Sequence, residues 1–206
     1  MLDDVVNFEN LSEEEKQKGC IIDNTDKVRN GNAFQEQIYE EVKSYDLKMF
    51  VRNKREYHID DEIGDKESDV EVELESHPNI RIILETTRSL RDDRFWAKES
   101  QSILIKGKCK EMGIQVIYAM VTPDNEFFGD KKSEINSIRR LYKITNSGAA
   151  KRRKVGDVDF AIRASDVEEL IYFIENSRSQ NAKRIANNYK IFKELSLIKT
   201  TPFLIY

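Results

Sequence analysis

The chain has 206 residues, 39% hydrophobic and 35% charged, which suits one domain with a densely charged surface. Its formal net charge of −4 argues against strong DNA affinity of the chain by itself, because nucleic-acid-binding proteins are usually basic. Two cysteines and two histidines argue against a disulfide framework, a zinc cluster and a Ser–His triad. No apolar run is long enough for a membrane span and the N-terminus is acidic, so we expect a cytoplasmic protein with no membrane partner.

The first part of the chain predicts one helix and one strand. Residues 1–30 are polar and form an N-terminal helical segment in our interpretation, and the main domain spans 31–178. Within 32–45, apolar residues recur at helical spacing, which predicts an amphipathic helix. Residues 49–59 have the pattern of a strand with unusually many charges.

A β-hairpin is predicted next, over residues 67–87. On its first strand, apolar Val70, Val72 and Leu74 alternate with acidic residues, which is typical of a strand with one buried and one polar face. We therefore expect the acids Glu71, Glu73 and Glu75 to be solvated. After a turn, the apolar run 80–84 predicts a central strand that ends in Glu85.

The rest of the chain alternates helices and strands. Gly113 is placed to end the first of these helices, and Ser165 to cap a later one. The predicted elements are a helix at 93–112, a strand at 114–121, a helix at 133–144, a basic loop at 145–157, a strand at 158–164, a helix after 165, and a C-terminal helix and tail within 179–206. This order predicts an α/β fold in which helices flank a mixed central sheet.

Two acids on neighbouring strands suggest a metal site. Asp69 lies on one strand of the hairpin and Glu85 at the end of the next, where a buried carboxylate is costly unless it is paired or binds a cation. Mg²⁺ needs only one or two protein carboxylates, so these two acids suffice, with the Thr86 carbonyl as a third ligand. Mn²⁺ should substitute. Carboxylate-bound Mg²⁺ can activate water for phosphodiester hydrolysis. Thr87 lies on the same strand face as Glu85 and would point at this attacking water.

These motifs resemble those of the PD-(D/E)xK nuclease superfamily. Ser68-Asp69 matches its Pro-Asp position with Ser for Pro, and Glu85-Thr86-Thr87 matches its Glu-x-Lys position with Thr for Lys. The stretch 31–38 is similar to its Gly-x-x-Phe-Glu helix, with Gln35 at the usual Glu. The order of elements over 31–175 further resembles the cleavage modules of type IIS restriction endonucleases, the AlwI-like and FokI-like kind, including small cleavage subunits of heterodimeric enzymes.

The resemblance implies a restriction-endonuclease-like core and Mg²⁺-dependent hydrolysis of double-stranded DNA. It also implies delivery by a DNA-recognising subunit or domain, and a homodimer or heterodimer for double-strand cleavage. Because position 87 is Thr, either Thr87 orients the water or a cation from the next helix reaches the site. Lys98 is the best placed of these cations, and Arg91 and Arg94 are others.

Further residues are candidates for supporting roles. Gln101 lies one turn after Lys98, and Glu36 and Glu71 could act next to the metal ligands. The basic run of Lys151, Arg152, Arg153 and Lys154 either contacts DNA phosphates or is a solvated loop. Two other functions stay open from the sequence: a catalytically inactive partner or scaffold subunit with a nuclease fold, and an RNA endonuclease of the same fold.

Overall fold

A computed structural model describes residues 31–87, 92–124 and 158–200, with the backbone alone at 92–96 and 197–200. Helix α1 covers residues 31–43. The other elements are strands β1 (Met49–His58), β2 (Asp65–Leu74) and β3 (Ile80–Thr86), helix α2 (Asp92–Glu111), strands β4 (Gln115–Thr122) and β5 (Phe160–Arg163), a 3₁₀ turn (Ala164–Asp166), and helices α3 (Val167–Glu175) and α4 (Ala182–Thr200).

The strands form one mixed sheet in the order β1-β2-β3-β4-β5. The pairs β1–β2 and β2–β3 are antiparallel, whereas β3–β4 and β4–β5 are parallel. The predicted hairpin, the parallel crossover through α2 and the α/β class with a mixed sheet are thereby confirmed.

Helices cover the two faces of the sheet. Consecutive residues of β3 and β4 are buried, which requires cover on both sides. On one face, Lys98 of α2 contacts Glu85 of β3. On the opposite face, Tyr189 of α4 packs on Phe160 of β5 with ring centroids 5.4 Å apart. Glu85, one of the two predicted metal ligands, therefore lies between the sheet and α2.

Two predicted helix ends have different outcomes. Gly113 has φ +72°, and its N–H donates to the Lys110 carbonyl, so the predicted end of α2 is confirmed. The prediction that Ser165 caps α3 is wrong. A 3₁₀ turn precedes the helix, and the N-cap is Asp166, whose side chain makes no capping hydrogen bond.

The acidic face of β2 is not solvated at Glu71, so that expectation is wrong there. Glu71 is 0% exposed, and its carboxylate forms ion pairs with Arg55 at 2.6 Å, Arg52 at 3.2 Å and Arg81 at 3.4 Å. The Tyr57 hydroxyl also donates to it. The unusual charge of β1 has its reason here, since two of these arginines lie on that strand and neutralise a buried acid.

Several sequence predictions lie outside the described residues. These are the N-terminal segment 1–30, the helix at 133–144, Arg91, the basic run 151–154 and the end of the apolar tail, 201–206. In the part of the chain that the structure describes, no helix has the length and apolar character that crossing a membrane requires.

Candidate active site

Asp69 and Glu85 occupy facing positions on β2 and β3. The antiparallel register pairs Val70 with Leu84, so the next position on each strand is Asp69 on β2 and Glu85 on β3. Facing residues of such strands have Cβ atoms about 5 Å apart. Asp69 Oδ2 accepts hydrogen bonds from the N–H and the hydroxyl of Thr86, both at 2.8 Å. Thr86 therefore holds the Asp69 side chain against the end of β3.

Glu85 is fully buried and is contacted from α2. Its Oε2 accepts a hydrogen bond from Lys98 Nζ, and its Oε1 accepts one from Gln101 Nε2 at 3.3 Å. Lys98 and Gln101 are three residues apart and so lie on one side of the helix. Gln101 Nε2 also donates to the Glu67 carbonyl of β2, which ties α2 to both strands of the site. Both residues predicted from the helix thus lie at Glu85.

Burial controls the protonation of Glu85. It raises the pKa of Glu85 from its ordinary value of 4.5 to about 7, although the neighbouring Lys98 ammonium lowers it. The Asp69 carboxylate raises the pKa of Glu85 further, which shows that the two acids interact electrostatically. A perturbed carboxyl beside a second carboxyl is typical of functional sites.

Tyr118 is a site residue that the sequence analysis missed. It lies on β4 opposite Ile83 of β3 and is 0% exposed. Its hydroxyl neighbours Glu85 and lowers the pKa of that carboxyl, yet it makes no hydrogen bond of ordinary geometry within the described residues. The sequence did show one polar group, the tyrosine hydroxyl, in the otherwise apolar run 116–121. A tyrosine in a buried strand is usually a core residue, however, so this did not indicate a role at the site.

A polar network connects α1 to the other side of Asp69. The buried Gln35 donates through Nε2 to the Asp69 carbonyl at 3.2 Å and to Asn53 Oδ1 at 2.8 Å. Asn53 Nδ2 donates in turn to Glu36 Oε2 at 2.7 Å. Glu36 itself is exposed. It is therefore Gln35, at the position where the resemblance expects Glu, that contacts the strand of Asp69.

The ladder between β1 and β2 is interrupted beside Asp69. In the ladder, Asn53 pairs with Val70 and Arg55 pairs with Ser68. Lys54, between them, has no partner residue on β2 in this register, and its φ is +59°. A left-handed lysine costs about 1 kcal/mol or more. The interruption leaves the Asp69 carbonyl available to Gln35.

The remaining predicted site residues are placed as follows. Thr87 is 6% exposed, and its N–H donates to the Val121 carbonyl of β4 at 2.8 Å. Glu71 lies two residues from Asp69 on β2 but is engaged by the arginines described above. The side chain of Arg94 and the whole of Arg91 belong to the part of the chain that is not described.

No family model and no curated protein matches the sequence. Among solved structures, the chain is similar to the small subunit of the heterodimeric restriction endonuclease R.BspD6I. The identity is 15%, the TM-score is 0.31, and the match covers 71% of this chain and 88% of that chain. A match at this level carries no weight for function, which has to be inferred from the residues of the site.

The donor set fits a hard divalent cation. Within the described ranges, no group of three or more His, Cys, Asp or Glu side chains is placed to hold a metal. Two carboxylates nevertheless meet what Mg²⁺ requires from a protein, because this ion keeps several of its own waters. Asp69 and Glu85 supply those carboxylates, and the buried Tyr118 hydroxyl adds a polar group beside Glu85.

Proposed function

We propose that this chain is a Mg²⁺-dependent DNA endonuclease, the cleavage subunit or domain of a type IIS-like restriction enzyme. The observation that carries the proposal is the meeting of Asp69, Glu85 and Lys98 at the end of β3. Two interacting carboxylates and an ammonium group are the side chains that metal-assisted phosphodiester hydrolysis needs.

The two acids would hold the metal in this proposal. When bound, Mg²⁺ supplies a Lewis acid that makes water more acidic and neutralises charge on the phosphate. Asp69 is oriented for this role by Thr86, whose two donors fix one carboxylate oxygen. Glu85 must lose its proton to bind a cation, so its ligand role strengthens above pH 7.

Lys98 would take the place of the lysine that is absent at position 87. Its ammonium group already contacts Glu85, and its side chain is 25% exposed, so a phosphate oxygen can reach it. A lysine that comes from the following helix can neutralise the same developing charge as one on the strand. Gln101 Oε1 lies 3.4 Å from Lys98 Nζ and restrains it.

A partner would deliver the chain to DNA. With net charge −4, the chain lacks the overall electrostatic attraction that drives autonomous DNA binding. A DNA-recognising subunit or domain would supply that affinity in the proposal, and a second active site, in a homodimer or heterodimer, would cut the other strand. No contact among the described residues supports the alternative function of an RNA endonuclease.

The test is cleavage by purified protein with Mg²⁺ or Mn²⁺. Supercoiled plasmid and single-stranded RNA serve as substrates, with and without a co-expressed DNA-binding partner. Asp69→Ala and Glu85→Ala should each lower DNA cleavage by at least about 100-fold. Glu75→Ala, at an exposed acid just after β2, is the matched control and should cut as the wild type does.

Two results would contradict the proposal. Metal-dependent DNA cleavage that survives both substitutions would show that the activity lies elsewhere. If no combination cuts DNA, the inactive partner-subunit reading replaces it, and if only RNA is cut, the RNA endonuclease reading does.

A further inference from the structure

The hydroxyl of Tyr118 is buried beside Glu85, yet it makes no hydrogen bond of ordinary geometry among the described residues. The whole side chain is 0% exposed, so water does not supply a partner from the surface. Buried hydroxyls are nearly always paired, and an unpaired one in a folded protein calls for a reason. Tyr189, which is also fully buried, follows the usual rule, because its hydroxyl donates to Glu169 Oε1 at 2.9 Å.

The position of Tyr118 suggests what that reason is. In the parallel ladder Tyr118 pairs with Ile83 and Met120 pairs with Glu85, so Tyr118 and Glu85 project from the same face of adjacent strands. Glu85 and Asp69 both act electrostatically on Tyr118, so the two acids of the site lie near its hydroxyl. A phenol donates its O–H to acceptors of this kind.

Lys98 and Gln101 approach Glu85 from α2, whereas Tyr118 approaches it from the sheet. A carboxylate has about four acceptor positions, and the two contacts from α2 leave others open. A neutral donor can orient a carboxylate without competing for its charge, unlike the Lys98 ammonium group. Donors behind a metal ligand hold it in place and tune its affinity for the ion.

We propose that Tyr118 is a positioning residue, whose hydroxyl donates a hydrogen bond to Glu85 and holds that carboxylate in its cation-binding orientation. This inference rests on the proposed function and deepens it. Lys98 and Gln101 hold Glu85 from α2, and the Tyr118 hydroxyl lies beside the same carboxylate without a hydrogen bond of ordinary geometry. If Asp69 and Glu85 held a divalent cation, a small turn of the Glu85 carboxylate would let it accept the phenol hydrogen bond.

The test compares Tyr118→Phe with the wild type in binding of Mn²⁺ by calorimetry, without substrate. Loss of the hydroxyl should weaken Mn²⁺ binding by about 10-fold, as for other groups behind metal ligands. In metal-free buffer the variant should be at least as stable as the wild type, because the substitution removes an unpaired buried hydroxyl. Tyr189→Phe is the matched control, and it should lose stability while it keeps the wild-type affinity for Mn²⁺.

The outcomes separate this inference from the proposed function. If the wild type binds Mn²⁺, Asp69→Ala does not, and Tyr118→Phe binds as the wild type does, the metal site stands and the role of Tyr118 is overturned. If Tyr118→Phe loses stability in metal-free buffer to the same extent as Tyr189→Phe, the hydroxyl has a structural partner instead and the inference is again overturned. If the wild type does not bind Mn²⁺, the proposed function itself fails, and this inference with it.

Discussion

Glu85 keeps an ionisable group where the surroundings favour an apolar one. It follows three consecutive buried positions of β3 and is itself 0% exposed. Lys98 offsets only part of the cost of burying its charge, which is why the pKa of Glu85 rises to about 7 in spite of the ion pair. An apolar residue would pack there at lower cost, which fits the metal-binding role proposed for this acid.

The raised pKa of Glu85 predicts how stability changes with pH. Between its ordinary value of 4.5 and about 7, the folded chain holds a proton on Glu85 that the unfolded chain releases. The stabilisation from this proton is fully present below pH 4.5 and is lost as pH rises through 7, by about 3 kcal/mol in all. Because other groups titrate too, the quantity to measure is the difference in unfolding free energy between wild type and Glu85→Gln, by urea denaturation in metal-free buffer.

The unfolding free energy of the wild type minus that of Glu85→Gln should be larger at pH 5 than at pH 8. Glu75→Gln, at an exposed position, is the matched control. A wild-type advantage over Glu85→Gln of equal size at both pH values would show that burial does not perturb this carboxyl.

The buried ion pairs of Glu71 should contribute strongly to stability. It is buried among Arg52, Arg55 and Arg81, so its replacement leaves three guanidinium groups short of a counter-charge. We expect Glu71→Gln to lower the unfolding free energy by about 3 kcal/mol. Glu73 contacts the same arginines but is 21% exposed, and Glu73→Gln should cost about 1 kcal/mol or less. Equal losses for both variants, measured by chemical denaturation, would contradict this account.

Helix α2 brings Lys98 and Gln101 to the sheet, and the glycine inside it and the glycine just after its end have opposite roles. Gly113 has φ +72°, which side chains rarely adopt, whereas Gly107 lies within the helix and is exposed. A Cβ atom at either position meets nothing within 4 Å, so packing does not decide the outcome.

Alanine at these two glycines should therefore change stability in opposite directions. Gly113→Ala should lower the unfolding free energy by about 1 kcal/mol, through left-handed strain. Gly107→Ala should raise it by roughly 0.5–1 kcal/mol, through helix propensity. Thermal denaturation of both variants checks the signs, and a stabilising Gly113→Ala would mean that α2 ends elsewhere.

Much of the element order could be predicted from the sequence, because hydrophobic periodicity and glycine positions are local signals. The hairpin, the crossover helix and the facing acids all follow from them. The burial of Glu71 could not be predicted, since strict alternation also suits an acidic face that a cross-strand arginine cluster covers. Tyr118 was missed for a related reason: its role depends on the register between β3 and β4, which no local pattern specifies.

At the scale of the whole molecule, a single copy of the chain carries the proposed site once. A duplex has two strands of opposite polarity, so one Asp69–Glu85 site can cut only one of them in a single binding event. The net charge of −4 further disfavours a chain that stays on DNA and turns to cut the second strand.

This predicts that supercoiled plasmid is converted to open circles before linear molecules appear. The nicking rate should rise in proportion to protein concentration, whereas linearisation should rise more steeply, since it needs two sites at one place. Mixing the wild type with an excess of Asp69→Ala tests this on agarose gels, because mixed pairs nick DNA but do not linearise it. Linear product that forms without an open-circle intermediate, at a rate proportional to the amount of wild type alone, would show that one chain cuts both strands.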